Sequence, residues 1–142
     1  GNQLAMKGGT IVMKRVSDPA FLAEIREKGD YIMSKMKELQ KKVSIIGDVR
    51  GRGLMLGMEF IDPATPADIL GSHTGGGSIA AEVQKRCFQN KLIMEKGGRN
   101  GAVMRCLCAL TVTREEIDVM LSIFEKVVLE VDSEVKSGKF KA

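Results

Sequence analysis

The 142-residue sequence has no tryptophan, a single tyrosine (Tyr31), a single histidine (His73) and three prolines. Few aromatics means few platforms on which unstacked bases can lie, so a single-strand nucleic-acid binder is disfavoured despite a net charge of +4. The Lys and Arg residues are also scattered along the chain and mixed with acids, as on an ordinary solvated surface. One histidine, with no cysteine at zinc-ligand spacing, leaves no metal cluster to assign. A Ser-His-Asp triad and a phosphate-cradling Gly-x-x-x-x-Gly-Lys loop are absent as well. No apolar run is long enough to span a bilayer, and no signal peptide opens the chain. Membrane and nucleic-acid partners are therefore not expected.

Cysteines number three, Cys87, Cys106 and Cys108, which cannot all pair within one chain. A disulfide framework belongs to oxidising compartments and usually to smaller, more Cys-dense chains. Reduced structural thiols in a cytoplasmic protein are the expectation. Gly1 precedes the first methionine, Met6, so the chain reads as processed or truncated. Nine methionines suit a core with irregular gaps.

Residues 1–17 read as a weak linking helix, with Leu4, Ile11, Val12 and Val16 on one stripe and Gly8 and Gly9 inside it. Each helix-interior glycine costs about 1 kcal/mol relative to alanine, so this helix calls for a neighbouring surface. Asp18 as N-cap and Pro19 at the first helical position open a second helix to about Lys42, striped by Leu22, Ile25, Ile32, Met36 and Leu39. Ile45 to Val49 and Leu54 to Phe60 then read as two strands. Between them, Gly51-x-Gly53-x-x-x-Gly57 looks superficially like a dinucleotide loop, but these glycines lead into a strand rather than opening a helix.

The Pro/Gly-rich stretch 62–77 reads as a loop, either a surface excursion or a substrate-side flap. Its lone His73 is read as solvated. Ser78 is the expected cap of a third helix reaching about Asn90. Leu92-Ile93-Met94 reads as a short strand, residues 97–101 as a turn, and Ala102 to Leu110 as a last strand. Thr113-Arg114-Glu115-Glu116 is a capping box opening a final helix with Ile117, Met120, Leu121, Phe124, Val127, Val128 and Val131 on one face. A polar tail covers 135–142. The order predicts an α+β fold: a sheet of three to four strands with helices covering one face.

One residue breaks the apolar pattern in a way that points to chemistry. Arg105 interrupts Ala102-Val103-Met104 and Cys106-Leu107-Cys108. An unpaired guanidinium is expensive to bury, so Arg105 should meet a carboxylate or reach the rim of the sheet. Its planar fork suits a carboxylate, by two parallel hydrogen bonds. Spacing leaves a structural salt bridge and a ligand role equally open.

Three segments together resemble one family. Gly1-Asn2-Gln3-Leu4-Ala5 resembles the stretch after the phosphate-binding threonine loop of class III aminotransferases. Val49-Arg50-Gly51-Arg52-Gly53-Leu54-Met55-Leu56-Gly57-Met58-Glu59 resembles their strand pair. Gly101 to Arg105, Leu110-Thr111-Val112-Thr113 and Glu116-Ile117 resemble their closing strand and last helix. Within the family, Glu95 to Gly101 is most similar to enzymes that use 2,4-diaminobutyrate and 2-oxoglutarate, with the 4-aminobutyrate and ornithine enzymes as close competitors. Cys106-Leu107-Cys108-Ala109 departs from the family, whose members commonly carry proline there, and Lys7-Gly8 replaces small residues.

The resemblance implies that residues 1–142 are the C-terminal small domain of a pyridoxal-phosphate transaminase of fold type I, homodimeric and cytoplasmic when whole. It implies that Arg105 is the substrate-binding residue, holding a carboxylate of the amino acid or of 2-oxoglutarate. It places the catalytic lysine, the pyridine-nitrogen aspartate and the phosphate-binding threonine upstream, in a large domain to which residues 1–17 would join. No catalytic, cofactor-binding or metal residue is then expected in these 142 residues, which alone would be inactive. The alternative from the residues themselves is a free-standing domain that binds a small carboxylate or regulates.

Overall fold

A computed structural model describes residues 1–69, 73 and 76–140. The first helix, α1 (Gln3–Val16), is capped by Asn2, whose side chain accepts from the Ala5 amide. No residue of α1 is buried. Helix α2 (Pro19–Lys42) starts at the expected cap, with the Asp18 carboxylate accepting from the Ala20 amide at 3.0 Å. Its stripe of Ile25, Ile32, Met36 and Leu39 is buried.

Strands β1 (Ile46–Arg52) and β2 (Met55–Phe60) form an antiparallel hairpin with Arg52 opposite Met55. The turn is made at Gly53, whose φ of +55° lies in the left-handed region that favours glycine. Helix α2 packs tightly on this turn. A Cβ on Gly29 would lie 2.3 Å from the Gly53 carbonyl oxygen, which explains a glycine inside an otherwise regular helix. The chain continues through α3 (Gly76–Gln89), β3 (Glu95–Gly97), a 3-10 turn at Arg99–Gly101, β4 (Val103–Cys106) and α4 (Arg114–Lys136).

The sheet order is β1-β2-β4-β3, every pairing antiparallel. Leu56, Met58 and Phe60 alternate with Met104 and Cys106 on one face, beneath α2, α3 and α4. Ile79, Val83, Ile117, Phe124, Val127 and Val128 close the core from the helical side. This is the α+β layer that the element order predicts, with four strands.

Two side-chain clusters tie the helices to each other and to the sheet. Arg86 of α3 donates to both Glu134 oxygens of α4 at 2.9 and 2.6 Å, and to Glu82 at 2.8 Å. Asp132 is buried, and its Oδ1 accepts from the amide and hydroxyl of Ser44 at 2.7 and 2.8 Å. Lys136 donates to its Oδ2 at 2.6 Å.

Several sequence expectations are corrected. Helix α3 begins at Gly76, so Ser78 lies in its first turn and is not the cap. The start is fixed by contact with the sheet: a Cβ on Gly76 would lie within van der Waals radii of the Phe60 carbonyl, so only glycine fits. The 62–77 stretch thus ends in helix, and within it Leu70, Gly71, Ser72, Thr74 and Gly75 lie outside the described residues.

The third strand is Glu95–Gly97 rather than Leu92–Met94. Met94 is buried, and its carbonyl accepts from Gln84 of α3. The last strand ends at Cys106 instead of reaching Leu110. Cys106 pairs with Leu56, one residue inside β2, so beyond Leu107 no strand remains to pair with. They turn instead, the Val112 amide donating to the Ala109 carbonyl.

The capping box opens α4 as expected, with Glu116 and Thr113 exchanging bonds at 2.8 and 3.2 Å. The segment read as a polar tail begins inside α4, and its Val135 and Phe140 pack against the core.

Candidate functional site

Arg105 stands on the face of the sheet away from the helices. The strand register sets it between Gly57 of β2 and Glu95 of β3, with Arg50 of β1 beyond Gly57. Gly57 has no side chain to fill the space beside it. The result is a shallow depression of about 350 Å³ between Arg50, Arg52, Met55, Val103 and Arg105, opening away from the helices.

The cations around this depression differ in how far they are neutralised. Arg50 donates to Asp48 at 2.6 Å and meets Glu59 at 2.8 Å. These two carboxylates hold its guanidinium more firmly protonated than usual. Arg105 has one ionic partner among the described residues, Glu95, at 3.3 Å. That distance is long for a charge-assisted bond, which typically spans about 2.7–2.9 Å. Both side chains are about half exposed, a setting in which an ion pair contributes little. Arg105 is therefore neither buried nor locked. Of the two expectations, a carboxylate or the rim of the sheet, the first is met, since Arg105 lies on an inner strand and faces Glu95, and most of its five donors are uncommitted.

The guanidinium lies across Gly97, where a Cβ would come 2.7 Å from Nη2 and 2.9 Å from Cζ. Glycine at 97 thus makes room for the side chain to fold over β3. The sequence motifs contain Glu95, Gly57 and Gly97 but do not relate them to Arg105, because that relation depends on strand register. The signal available was the glycine-rich turn 97–101, which places residues 95 and 105 symmetrically about Asn100.

The remaining candidates have structural settings. His73 Nδ1 lies 2.8 Å from the Thr65 carbonyl, which can only accept, so that nitrogen carries the proton and ties the loop down. Cys87 is buried in α3, and desolvation pushes its thiol up to about 11. A hydrogen bond from Cys106 pulls the Cys108 thiol below its usual range. No lysine among the described residues is buried. The described residues therefore present no desolvated amine of the kind that Schiff-base chemistry favours. Among the described residues, no helix is long and apolar enough to cross a membrane.

The family model for class-III aminotransferases matches residues 1–128. A diaminobutyrate–2-oxoglutarate aminotransferase from Haemophilus influenzae is 38% identical over 137 residues, which cover 96% of this chain and 30% of that enzyme. One from Rhizobium meliloti is 36% identical, covering 83% of this chain and 25% of that enzyme. The fold matches an acetylornithine aminotransferase from Elizabethkingia anophelis with a TM-score of 0.64 at 25% identity, over 81% of this chain and 27% of that one. The chain thus spans about 30% or less of the length of these relatives. With the family model matched over residues 1–128, into the last helix, and the fold of solved relatives reproduced, the chain belongs to the class-III aminotransferase family.

Proposed function

We propose that this chain is the small domain of a pyridoxal-phosphate transaminase, and that Arg105 holds a carboxylate of the amino donor or of 2-oxoglutarate. The observation that carries this reading is the state of Arg105: a guanidinium on the helix-free face of the sheet, with one long contact to Glu95 and a side-chain-free neighbour at Gly57. A planar fork in that condition can take a carboxylate bidentately without first breaking a strong native bond.

Pyridoxal phosphate, when bound, acts as an electron sink for the amino-group carbon. Its lysine and phosphate site are assigned to a large domain outside these 142 residues, and the whole enzyme to a cytoplasmic homodimer. Arg105 contributes orientation and moves no proton. The amino donor proposed is 2,4-diaminobutyrate, because two similar relatives carry that name.

Kinetics of the complete enzyme test the role. A hydrogen bond to a charged group is worth about 1.5–3 kcal/mol, so Arg105→Ala should lower kcat/KM for 2-oxoglutarate by roughly 10–150-fold. Arg105→Lys keeps the charge but loses the fork, and should recover only part of that loss. Unchanged kcat/KM in both variants would remove Arg105 from substrate binding.

A further inference from the structure

Three sulfur atoms converge where β4 ends. Cys106 is the last residue of β4, is 3% exposed, and faces α4, where its Sγ lies 3.5 Å from the Met120 Sδ. Cys108, two residues further and half-buried, opens onto the same cleft. All three side chains line a cleft of about 400 Å³ whose wall is otherwise mainly apolar, including Leu92, Ile93 and Val112. Packing alone does not call for two thiols and a thioether at one opening, because a thiol is a weak donor and small aliphatic side chains would fill the same space.

We infer that Cys106, Cys108 and Met120 form a site for a soft monovalent cation of the Cu(I) type. Thiolate and thioether sulfur are the donors that select Cu(I) over hard cations. Metal–sulfur bonds of about 2.3 Å in a trigonal set put neighbouring sulfurs about 4 Å apart, so the observed 3.5 Å needs only a slight opening. No three His, Cys, Asp or Glu gather among the described residues, and of the two carboxylates at the cleft Glu95 faces Arg105, which also lines it, and Glu116 is engaged in its capping box. Hard and borderline dications therefore lack a donor set there. On binding, the Cys106 and Cys108 S–H bonds break and both protons pass to solvent. Two thiolate–copper bonds form, the Met120 sulfur donates its lone pair, and no electron is transferred. The inference does not depend on the transaminase reading.

The experiment is an anaerobic titration of the reduced 142-residue chain with Cu(I) against the chromophoric chelator bicinchoninate. One equivalent should leave the chelator, and X-ray absorption at the copper edge should count three sulfurs. Cys87→Ala should leave that stoichiometry unchanged. Met120→Leu keeps both thiols and nearly the same volume, and should weaken binding by at least about tenfold, the lower end of what loss of even an outer-shell metal partner costs. Failure of the wild-type chain to hold an equivalent overturns the inference. So does wild-type affinity in Met120→Leu, or in a Cys106→Ser/Cys108→Ser variant shown to be folded by circular dichroism.

Discussion

Replacing Asp132 by alanine should destabilise the chain more than any single surface change, because Asp132 is the buried charge that joins the start of the sheet to α4. The substitution strands the Ser44 amide and hydroxyl, which donate to Oδ1 at 2.7 and 2.8 Å. Lys136 is half exposed and will rehydrate, so its lost contact adds little. An orphaned buried donor costs about 1–3 kcal/mol, and because Ser44 is only half-buried each of its two donors falls in the lower half of that range, about 2–4 kcal/mol together. At about 2.1 cal/mol/K per residue, the unfolding entropy of 142 residues is about 300 cal/mol/K. Tm should therefore fall by about 7–13 °C in a thermal melt followed by circular dichroism.

The pH dependence of this loss has a definite sign. Burial alone would raise the Asp132 carboxyl, but Lys136 and the two Ser44 donors outweigh it and the net shift is downward. A depressed carboxyl contributes stability above its unfolded value of 3.8 and loses it as pH falls through the lower folded value. The gap between wild type and Asp132→Ala should be constant from neutrality to about pH 5 and close on further acidification. A Tm change under about 2 °C, the range of an ordinary surface substitution, would refute the reasoning. A gap that persists undiminished at pH 3 would refute its electrostatic part.

Gly97→Ala should leave Tm within about 2 °C while pushing the Arg105 guanidinium aside, since the new methyl meets the flexible end of that side chain. In the complete enzyme its KM for 2-oxoglutarate should rise with the cofactor spectrum unchanged; a large loss of Tm would instead make Gly97 a structural residue. Helix α1 leaves Leu4, Met6, Ile11, Val12 and Met13 between 57% and 84% exposed, with Leu4, Ile11 and Val12 on one side of the helix and Met6 and Met13 on another, more apolar surface than an isolated helix ordinarily shows to water. The chain should therefore self-associate in sedimentation equilibrium, and deletion of residues 1–17 should restore a monomer. Equal masses for the two chains would show that α1 is not the contact.

Sequence reading succeeded where local chemistry decides the structure. Asp18-Pro19 and Thr113-x-x-Glu116 are self-contained caps, and the apolar stripes of α2 and α4 keep helical period over about five and four turns. It failed at the edge of the sheet, where strand identity comes from pairing. Glu95-Lys96-Gly97 is polar and glycine-ended, so nothing in it resembles a strand until β4 is set beside it. The apolar Leu92-Ile93-Met94 attracts that assignment because Met94 is buried, although under α3 rather than in a ladder. Likewise, Leu107 to Leu110 is apolar enough for a strand but has no partner once β2 has begun at Met55. The same limit governs the site. Arg105 was visible as a charge within an apolar run, whereas Glu95, Gly57 and Gly97 became its neighbours only through register.

The central claim, a small domain that offers a carboxylate clamp but no cofactor site of its own, is tested most directly by titrating the purified chain with pyridoxal phosphate. Visible absorbance would be followed and any adduct trapped with borohydride and mapped. The account predicts only scattered, substoichiometric labelling of exposed lysines, as no lysine among the described residues is buried. One equivalent trapped at a single lysine would mean that the chain carries its own cofactor site and would contradict the account.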